Sequence, residues 1–168
     1  FSVDAFIPPE MAVKAENVGV KKAMMGWRNT FALAVLAGAF IALGAIFATT
    51  VTTGAAGQLT YGISRLVGGL AFCLGLILVV VAGAELFTGN NMFLMIGALN
   101  GDCSWGDLLK NWVVVWIANF AGSLLLVYIV AGGFYGIGPD GAASVGLFKG
   151  AVGAKSIAIA KGKLELTW

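Results

Sequence analysis

Long uncharged apolar stretches divide the chain into regions that match the thickness of a lipid bilayer. Residues 29–64 contain no charged side chain, and residues 31–50 supply the roughly 20 apolar positions that cross a ~30 Å hydrocarbon core. A stretch of similar length runs from about residue 111 to residue 131. The pattern therefore predicts a first and a last membrane-spanning helix at these positions.

The apolar region 66–99 fits neither one membrane span nor two. As a continuous helix its 34 residues would be about 51 Å long at about 1.5 Å per residue. Glu85 and the sequence Gly89-Asn90-Asn91 interrupt it, and glycine and asparagine are poor helix formers. Backbone groups that leave a helix inside a membrane must be packed in protein or face a water-filled cavity. The region therefore predicts a broken second helix, of the kind that lines substrate pathways in transporters.

The two ends of the chain are more polar than its middle. Residues 1–28 are amphipathic, and Pro8 and Pro9 suit the first turn of a helix. The predicted helix has an apolar face and a separate set of basic residues, namely Met11, Ala12, Ala15 and Val18 against Lys14, Lys21 and Lys22. We expect this segment either to anchor the first span at the membrane interface or to gate a pore. Residues 132–168 are glycine-rich, and we expect a loop there with one short amphipathic helix.

The composition is typical of a membrane protein and offers little to an enzyme. Hydrophobic residues make up 60% of the chain and charged residues 11%, whereas soluble domains carry about 25% charged residues. The net charge of +2 does not indicate a nucleic-acid partner, and the two cysteines lack the spacing of a disulfide framework or a zinc site. Because histidine, a phosphate-binding loop and metal-ligand clusters are absent from the sequence, no enzyme activity, cofactor or metal is expected. Basic residues flank both outer spans, so charge alone does not choose the orientation.

Glu85 and Thr88 are the polar residues with the clearest candidate chemistry. Glu85 is the only acid inside a hydrophobic run, and an intramembrane carboxylate indicates a functional site. The alternative is a helix end near the interface, where the carboxylate accepts backbone hydrogen bonds. Thr88 offers a hydroxyl that either donates to a passing anion or caps a helix. Gly89 and Asn90 complete the predicted break, as helix breakers or as polar pore residues.

Phe72 and Leu76 lie one helical turn apart in the same apolar region, so their side chains share a face. Apolar residues at this spacing usually belong to a packed core. If their face lines a pore, they form a constriction that closes by excluding water. The spacing alone leaves both interpretations open.

A run of nine residues and three flanking segments carry a resemblance to a known family. They are Val81-Ala82-Gly83-Ala84-Glu85-Leu86-Phe87-Thr88-Gly89, with Leu66-Val67-Gly68-Gly69, Leu74-Gly75-Leu76-Ile77-Leu78 and Ser104-Trp105-Gly106-Asp107-Leu108-Leu109-Lys110-Asn111-Trp112. The run resembles the first signature of the formate/nitrite transporter family, and the flanking segments are similar to its formate-channel branch. Two features depart from that branch: Glu85 stands where many formate channels have Asp, and Gly89-Asn90-Asn91-Met92-Phe93-Leu94 looks more like the nitrite branch.

The resemblance implies an all-α membrane protein with an aquaporin-like fold, in which six spans form two inverted repeats. The chain matches the first repeat, three spans with a broken second helix, and the second half of the same protein is expected to accompany it. The resemblance further implies a homopentamer with one pore per protomer in the cytoplasmic (inner) membrane of a bacterium or archaeon. With the N-terminus inside, residues 1–28 are cytoplasmic, residues 29–131 form the membrane repeat and residues 132–168 form a periplasmic loop.

The positions that match the family's pore divide into a constriction, a loop in the broken helix and a vestibule. Phe72 and Leu76 match the cytoplasmic constriction, and Lys163 matches the outer vestibule. Leu86, Phe87 and Thr88 match the loop, and Leu86 and Phe87 are also expected to narrow the pore. In the family the threonine contacts a central histidine from the second repeat, which is proposed to protonate or attract the permeating anion. Thr88 is therefore expected to contact that histidine, which lies outside this sequence.

The expected function is a multi-pass channel or transporter for formate or a similar small monovalent anion, with pH-dependent transport. Nitrite or hydrosulfide is the alternative substrate within the same family. A non-transporting membrane anchor subunit of a larger complex is the alternative from another class, in which the helix break would be a binding notch. The lipid bilayer is an expected partner in each case, and nucleic acid is not.

Overall fold

The computed structural model describes residues 6–55, 57–131 and 150–166, and within these ranges the regular structure is entirely helical. The helices are α1 (Pro8–Ala23), α2 (Trp27–Thr52), α3 (Tyr61–Val81), α4 (Phe87–Asn100), α5 (Trp105–Val130) and α6 (Ala151–Leu164). The predicted all-α fold with a broken second helix is confirmed, because the region that is too long for one span forms α3 and α4 with a break between them.

Three of these helices, α2, α3 and α5, are long and apolar enough to cross a membrane. Both α2 and α5 begin before the predicted spans, since each continues through polar residues that suit the membrane interface. The helix predicted within residues 132–168 is α6. The loop predicted before it falls on residues 132–149, which lie outside the described residues.

Tight packing between α1 and α4 characterises the first of two compact units, which contains the chain up to Gly38 and residues 83–121. A Cβ atom on Gly19 would lie 2.1 Å from the carbonyl oxygen of Phe93, so the two helix backbones approach as closely as glycine permits. That the apolar face of α1 lies at the membrane interface stays a prediction. Met11 and Ala12 are exposed, and the contact with α4 centres on Gly19.

The second compact unit contains residues 39–82 and the chain from Gly122 onward. Here α2 and α3 meet through Gly44 and Gly75, because a Cβ atom on Gly75 would lie 2.9 Å from the carbonyl oxygen of Phe40. Elsewhere α3 presents large apolar side chains such as Leu70 and Val80 to its surroundings. Exposed apolar area of this extent requires lipid or protein around it, as in a multi-pass membrane protein.

Candidate functional site

The break between α3 and α4 comprises residues 82–86, and all of these except Ala82 belong to the first unit. Gly83 adopts a φ of 62°, in the left-handed region that favours glycine. The chain is extended again at Leu86, the residue that precedes α4. Between them, the backbone N–H of Glu85 donates to the carbonyl oxygen of Leu33 at 3.2 Å. Because Leu33 belongs to the first half of α2, the break lies within the depth of that membrane-spanning helix.

Asn119 of α5 supplies hydrogen bonds that the broken helix lacks. Its Nδ2 donates to the carbonyl oxygens of Ala34 at 2.7 Å and Glu85 at 2.9 Å. Its Oδ1 accepts from the N–H of Phe87, the first residue of α4, at 2.9 Å. The close approach of α2 and α5 makes this geometry available, since a Cβ atom on Gly38 would lie 2.0 Å from the carbonyl oxygen of Asn119. One side chain thus serves three backbone groups at a depth where water is scarce.

A buried ion pair joins the break to α1. Glu85 is 2% exposed, and its Oε1 lies 2.6 Å from Nζ of Lys22, whose side chain is 16% exposed. The other carboxylate oxygen, Oε2, accepts from Nδ2 of Asn90 at 2.7 Å, and that nitrogen also lies 2.9 Å from Oδ1 of Asn111. A buried carboxylate is tolerated when it is paired and hydrogen-bonded in this way. The ion pair also cancels a negative charge that would otherwise repel anions from the break.

The first turn of α4 offers unused hydrogen-bond donors. Thr88 is exposed, and its hydroxyl has no hydrogen-bond partner among the described residues. The backbone N–H groups of Thr88 and Gly89 also have no acceptor among these residues. The N-terminus of a helix carries a partial positive charge and favours anions. This arrangement suits a small anion held by hydrogen bonds. It does not suit metal binding, and within the described ranges no cluster of His, Cys, Asp or Glu could hold a metal ion.

A cavity of about 720 Å³ lies in the second unit, between the C-terminal part of α2, the N-terminal part of α3 and α6. Its polar lining includes Thr49, Thr52, Arg65 and Lys155, and no acidic residue is among the described residues that line it. The guanidinium of Arg65 lies 5.1 Å from the ring centroid of Tyr61, which also lines the cavity. Two cationic side chains without a neighbouring carboxylate give the cavity a positive potential.

Residues 9–168 match the sequence profile of a family described as Formate/nitrite transporter. The chain belongs to the formate/nitrite transporter family. It is 42% identical over 142 residues to the formate channel FocA of Escherichia coli K12, which covers 80% of this chain and 49% of the relative. It is 40% identical over 153 residues to a probable formate transporter of Methanothermobacter thermautotrophicus, which covers 88% of this chain and 55% of the relative.

A solved structure has the same fold. The pentameric formate channel with formate bound superposes with a TM-score of 0.66 at 36% identity, over 96% of this chain and 53% of that chain. The chain spans about half the length of the curated relatives it matches. The predicted family and fold class are therefore confirmed for the part of a formate/nitrite transporter that this chain represents.

The break in this formate/nitrite transporter lies earlier in the sequence than predicted. Gly89 and Asn90 belong to α4, so their assignment as helix breakers is wrong. Phe87 and Thr88 are also helical, and of the predicted loop only Leu86 lies outside α4. Tertiary contacts explain the difference, because the Asn90 amide is bonded to Glu85 and Asn111 across the first turns of α4 and α5. Helix propensity is overridden when a side chain gains such partners.

Two side chains on α3 that the resemblance assigned to a constriction are exposed. Phe72 is 43% and Leu76 is 50% exposed, and Phe72 also lines the cavity. The backbone of Phe72 lies against Gly44, which is nearer the C-terminal end of α2 than its N-terminal end. The assignment of Phe72 and Leu76 to the cytoplasmic constriction stays a prediction.

The lysine at the cavity is not the one selected from the resemblance. Lys163 is exposed near the C-terminal end of α6 and does not line the cavity, whereas Lys155, two turns earlier, does. No role was predicted from the sequence for Lys22, Asn111 or Asn119. Two of these are asparagines in an apolar span, a signal that marks buried hydrogen-bonding groups in membranes. The side chain of Lys22, one of the basic residues predicted to lie away from the apolar face of α1, reaches Glu85.

Cys103, in the connection between α4 and α5, has a raised pKa. Burial is the largest cause, followed by the negative charges of Asp107 and Asp102. A raised pKa keeps the thiol protonated at neutral pH, and only the thiolate is nucleophilic. In a full-length protein that keeps Cys103 as its single cysteine, alkylation by a water-soluble maleimide should therefore reach half its maximal rate at a pH above the ordinary thiol pKa.

Asp102→Asn removes one of these negative charges and should shift that alkylation midpoint to lower pH. The comparison is made by quenching the maleimide reaction at timed intervals and measuring intact mass. A midpoint for Cys103 at or below that of a free peptide thiol, or one that Asp102→Asn leaves in place, would contradict the assignment.

Proposed function

We propose that the full-length protein is a homopentameric channel for formate or a similar small monovalent anion, in the cytoplasmic membrane of a bacterium or archaeon. The observation that carries the proposal is the start of α4 inside the apolar spans, with the Thr88 hydroxyl and two backbone N–H groups unused. A relative with 42% identity is named a formate channel, and a structural neighbour is titled a pentameric formate channel with formate bound.

The break supplies an anion with the hydrogen-bond donors that it loses on leaving water. A small anion in hydrocarbon lacks hydrogen-bond donors, and discontinuous helices in transporters present them at their half-helix ends. At the break, Thr88 and the first N–H groups of α4 supply donors together with a partial positive charge. The ion pair between Glu85 and Lys22 leaves no net charge beside them. In the complete protein, Thr88 would also contact the central histidine of the second repeat.

Apolar side chains on either side of the break would control the passage of water. Phe72 and Leu76 on α3, with Leu86 and Phe87 at the start of α4, are the proposed constrictions. Rings of apolar side chains close a pore by dewetting and still admit a small anion that is briefly neutralised or hydrogen-bonded. Titration of the central histidine would make the transport depend on pH.

The positive cavity of the second unit fits an outer vestibule in this scheme. With the N-terminus inside, residues 1–28 are cytoplasmic, residues 29–131 form the membrane repeat and residues 132–168 form the periplasmic loop. Arg65, Lys155 and Lys163 would then face the periplasm, where a positive potential raises the local anion concentration. Such steering weakens as the ionic strength rises.

Anion uptake by liposomes that contain the full-length protein tests the proposal and the choice of substrate. Labelled formate should enter faster than into empty vesicles, and excess unlabelled formate should compete better than nitrite or hydrosulfide. Stronger competition by nitrite or hydrosulfide would assign the protein to one of those anions instead. Uptake equal to that of empty vesicles for all three anions would reject the channel and favour a non-transporting membrane subunit.

A further inference from the structure

We infer that Asn119 is a positioning residue that fixes the width of the break between α3 and α4, and so sets the size of anion that passes. The inference rests on the proposed channel function, which it extends by naming what limits substrate size. Asn119 belongs to α5 and is not among the residues proposed to touch the anion. It would act through Leu86, Phe87 and Thr88.

The hydrogen bonds of Asn119 hold the backbone on both sides of Leu86. The carbonyl oxygen of Glu85, which precedes Leu86, accepts from Nδ2 at 2.9 Å, and the N–H of Phe87, which follows it, donates to Oδ1 at 2.9 Å. The main chain of Leu86 is thus fastened at each neighbouring peptide group. Leu86 and Phe87 are proposed constriction residues, so their backbone position determines the opening between them and the rest of the pore.

The Asn119 side chain also connects the main chain around Leu86 to α2. Its Nδ2 donates to the carbonyl oxygen of Ala34 at 2.7 Å, and its own backbone lies against Gly38 one turn further along α2. A second bond links the break to α2 directly, from the N–H of Glu85 to Leu33. Of these contacts, those of the Asn119 amide are the ones that a single side-chain substitution removes. A carboxamide suits the position because it donates and accepts at once.

Loss of the Asn119 hydrogen bonds should widen the range of anions that the channel transports and leave the channel assembled. Without Asn119, the carbonyl oxygen of Glu85 and the N–H of Phe87 lose their partner. Leu86 then keeps the bond from the Asn90 N–H to its own carbonyl oxygen and the neighbouring bond from Glu85 to Leu33. A wider opening should raise the influx of formate only slightly, whereas it should raise the influx of a larger monocarboxylate such as acetate by more. The expected signature is therefore a change in the ratio of two fluxes, which a general loss of folded protein would not produce.

The test measures formate and acetate influx into liposomes that contain full-length wild type, Asn119→Ala or Asn119→Asp. Each variant is first checked for an intact oligomer by size-exclusion chromatography. We expect the ratio of acetate to formate influx to rise at least about fivefold in both variants, because aspartate keeps the acceptor for Phe87 and loses both donated bonds. Thr50→Val is the matched control, since among the described residues the Thr50 hydroxyl bonds only within its own helix, to Ile46 at 2.8 Å. The flux ratio of this control should not change.

Amide hydrogen exchange in the wild-type protein gives a second readout that does not depend on a variant folding. The N–H of Phe87, bonded to Asn119, should exchange at least about tenfold more slowly than those of Thr88 and Gly89. Equal exchange rates, or an unchanged flux ratio in an intact Asn119→Ala oligomer, would overturn the inference. If wild type carried neither anion, the proposed function would fail, and the exchange pattern would still decide whether Asn119 holds the break.

Discussion

Replacement of Glu85 with alanine is expected to lower the free energy of unfolding of the full-length protein by about 3–5 kcal/mol, the range for removing one partner of a buried ion pair. The ammonium group of Lys22 would lose its ion-pair partner, and only 16% of that side chain is exposed. The Asn90 amide would lose one of its two acceptors at the same time. Equilibrium unfolding in detergent micelles, followed by tryptophan fluorescence, measures the change.

Two further variants separate the ion pair from a general effect of charge. Lys21→Met removes a neighbouring, exposed charge from α1 and should change stability by no more than about 0.5 kcal/mol. Lys22→Met combined with Glu85→Leu removes both charges together and should recover most of the loss. Either of two results would show that the ion pair does not hold the break: Glu85→Ala costs no more than Lys21→Met, or the double variant costs as much as Glu85→Ala.

Replacement of Gly38 with alanine is expected to destabilise the protein by about 3 kcal/mol or more, at the upper end for overpacking a core. The added Cβ would lie 2.0 Å from the carbonyl oxygen and 2.7 Å from the carbonyl carbon of Asn119. Both atoms belong to the backbone, so no side chain can turn aside, and α5 must move away from α2. Thermal unfolding of the purified oligomer and its elution in size-exclusion chromatography report the loss.

Gly62→Ala provides the matched control for this substitution. Gly62 also lies in a membrane-spanning helix, and a Cβ atom there would meet nothing within 4 Å. Because alanine is the better helix former, Gly62→Ala should leave stability unchanged or slightly raised. Equal melting temperatures for Gly38→Ala and wild type would show that α2 and α5 do not pack at backbone distance in the assembled protein.

The length and charge of the apolar stretches were sufficient to predict the helical architecture. Spans α2 and α5 follow from uncharged runs of bilayer length, and a break in the second helix follows from a region that fits neither one span nor two. These features depend on whether each side chain is more stable in lipid or in water, which can be judged from the sequence alone. The position of the break is different, because it depends on which backbone groups find partners.

The residues that hold the break could be predicted only in part. Gly89 and Asn90 indicated a break by helix propensity, yet tertiary hydrogen bonds keep Asn90 helical and move the break to Gly83, which has a positive φ. Glu85 was identified because an acid in an apolar run is costly. Its partner Lys22 lies 63 positions away, and the contact between Asn119 and Ala34 spans 85 positions. Such pairings follow from helix packing and leave no local signal.

The central claim is that the first turn of α4 lines an aqueous anion pathway, and labelling of Thr88→Cys tests it most directly. The variant is made in the full-length protein with Cys73, Cys103 and every cysteine of the second half replaced by alanine, and is reconstituted in liposomes. A small charged methanethiosulfonate reagent should label position 88, and added formate should slow the labelling in a concentration-dependent manner. Absence of labelling by the charged reagent, together with labelling by a lipid-soluble maleimide, would contradict the claim.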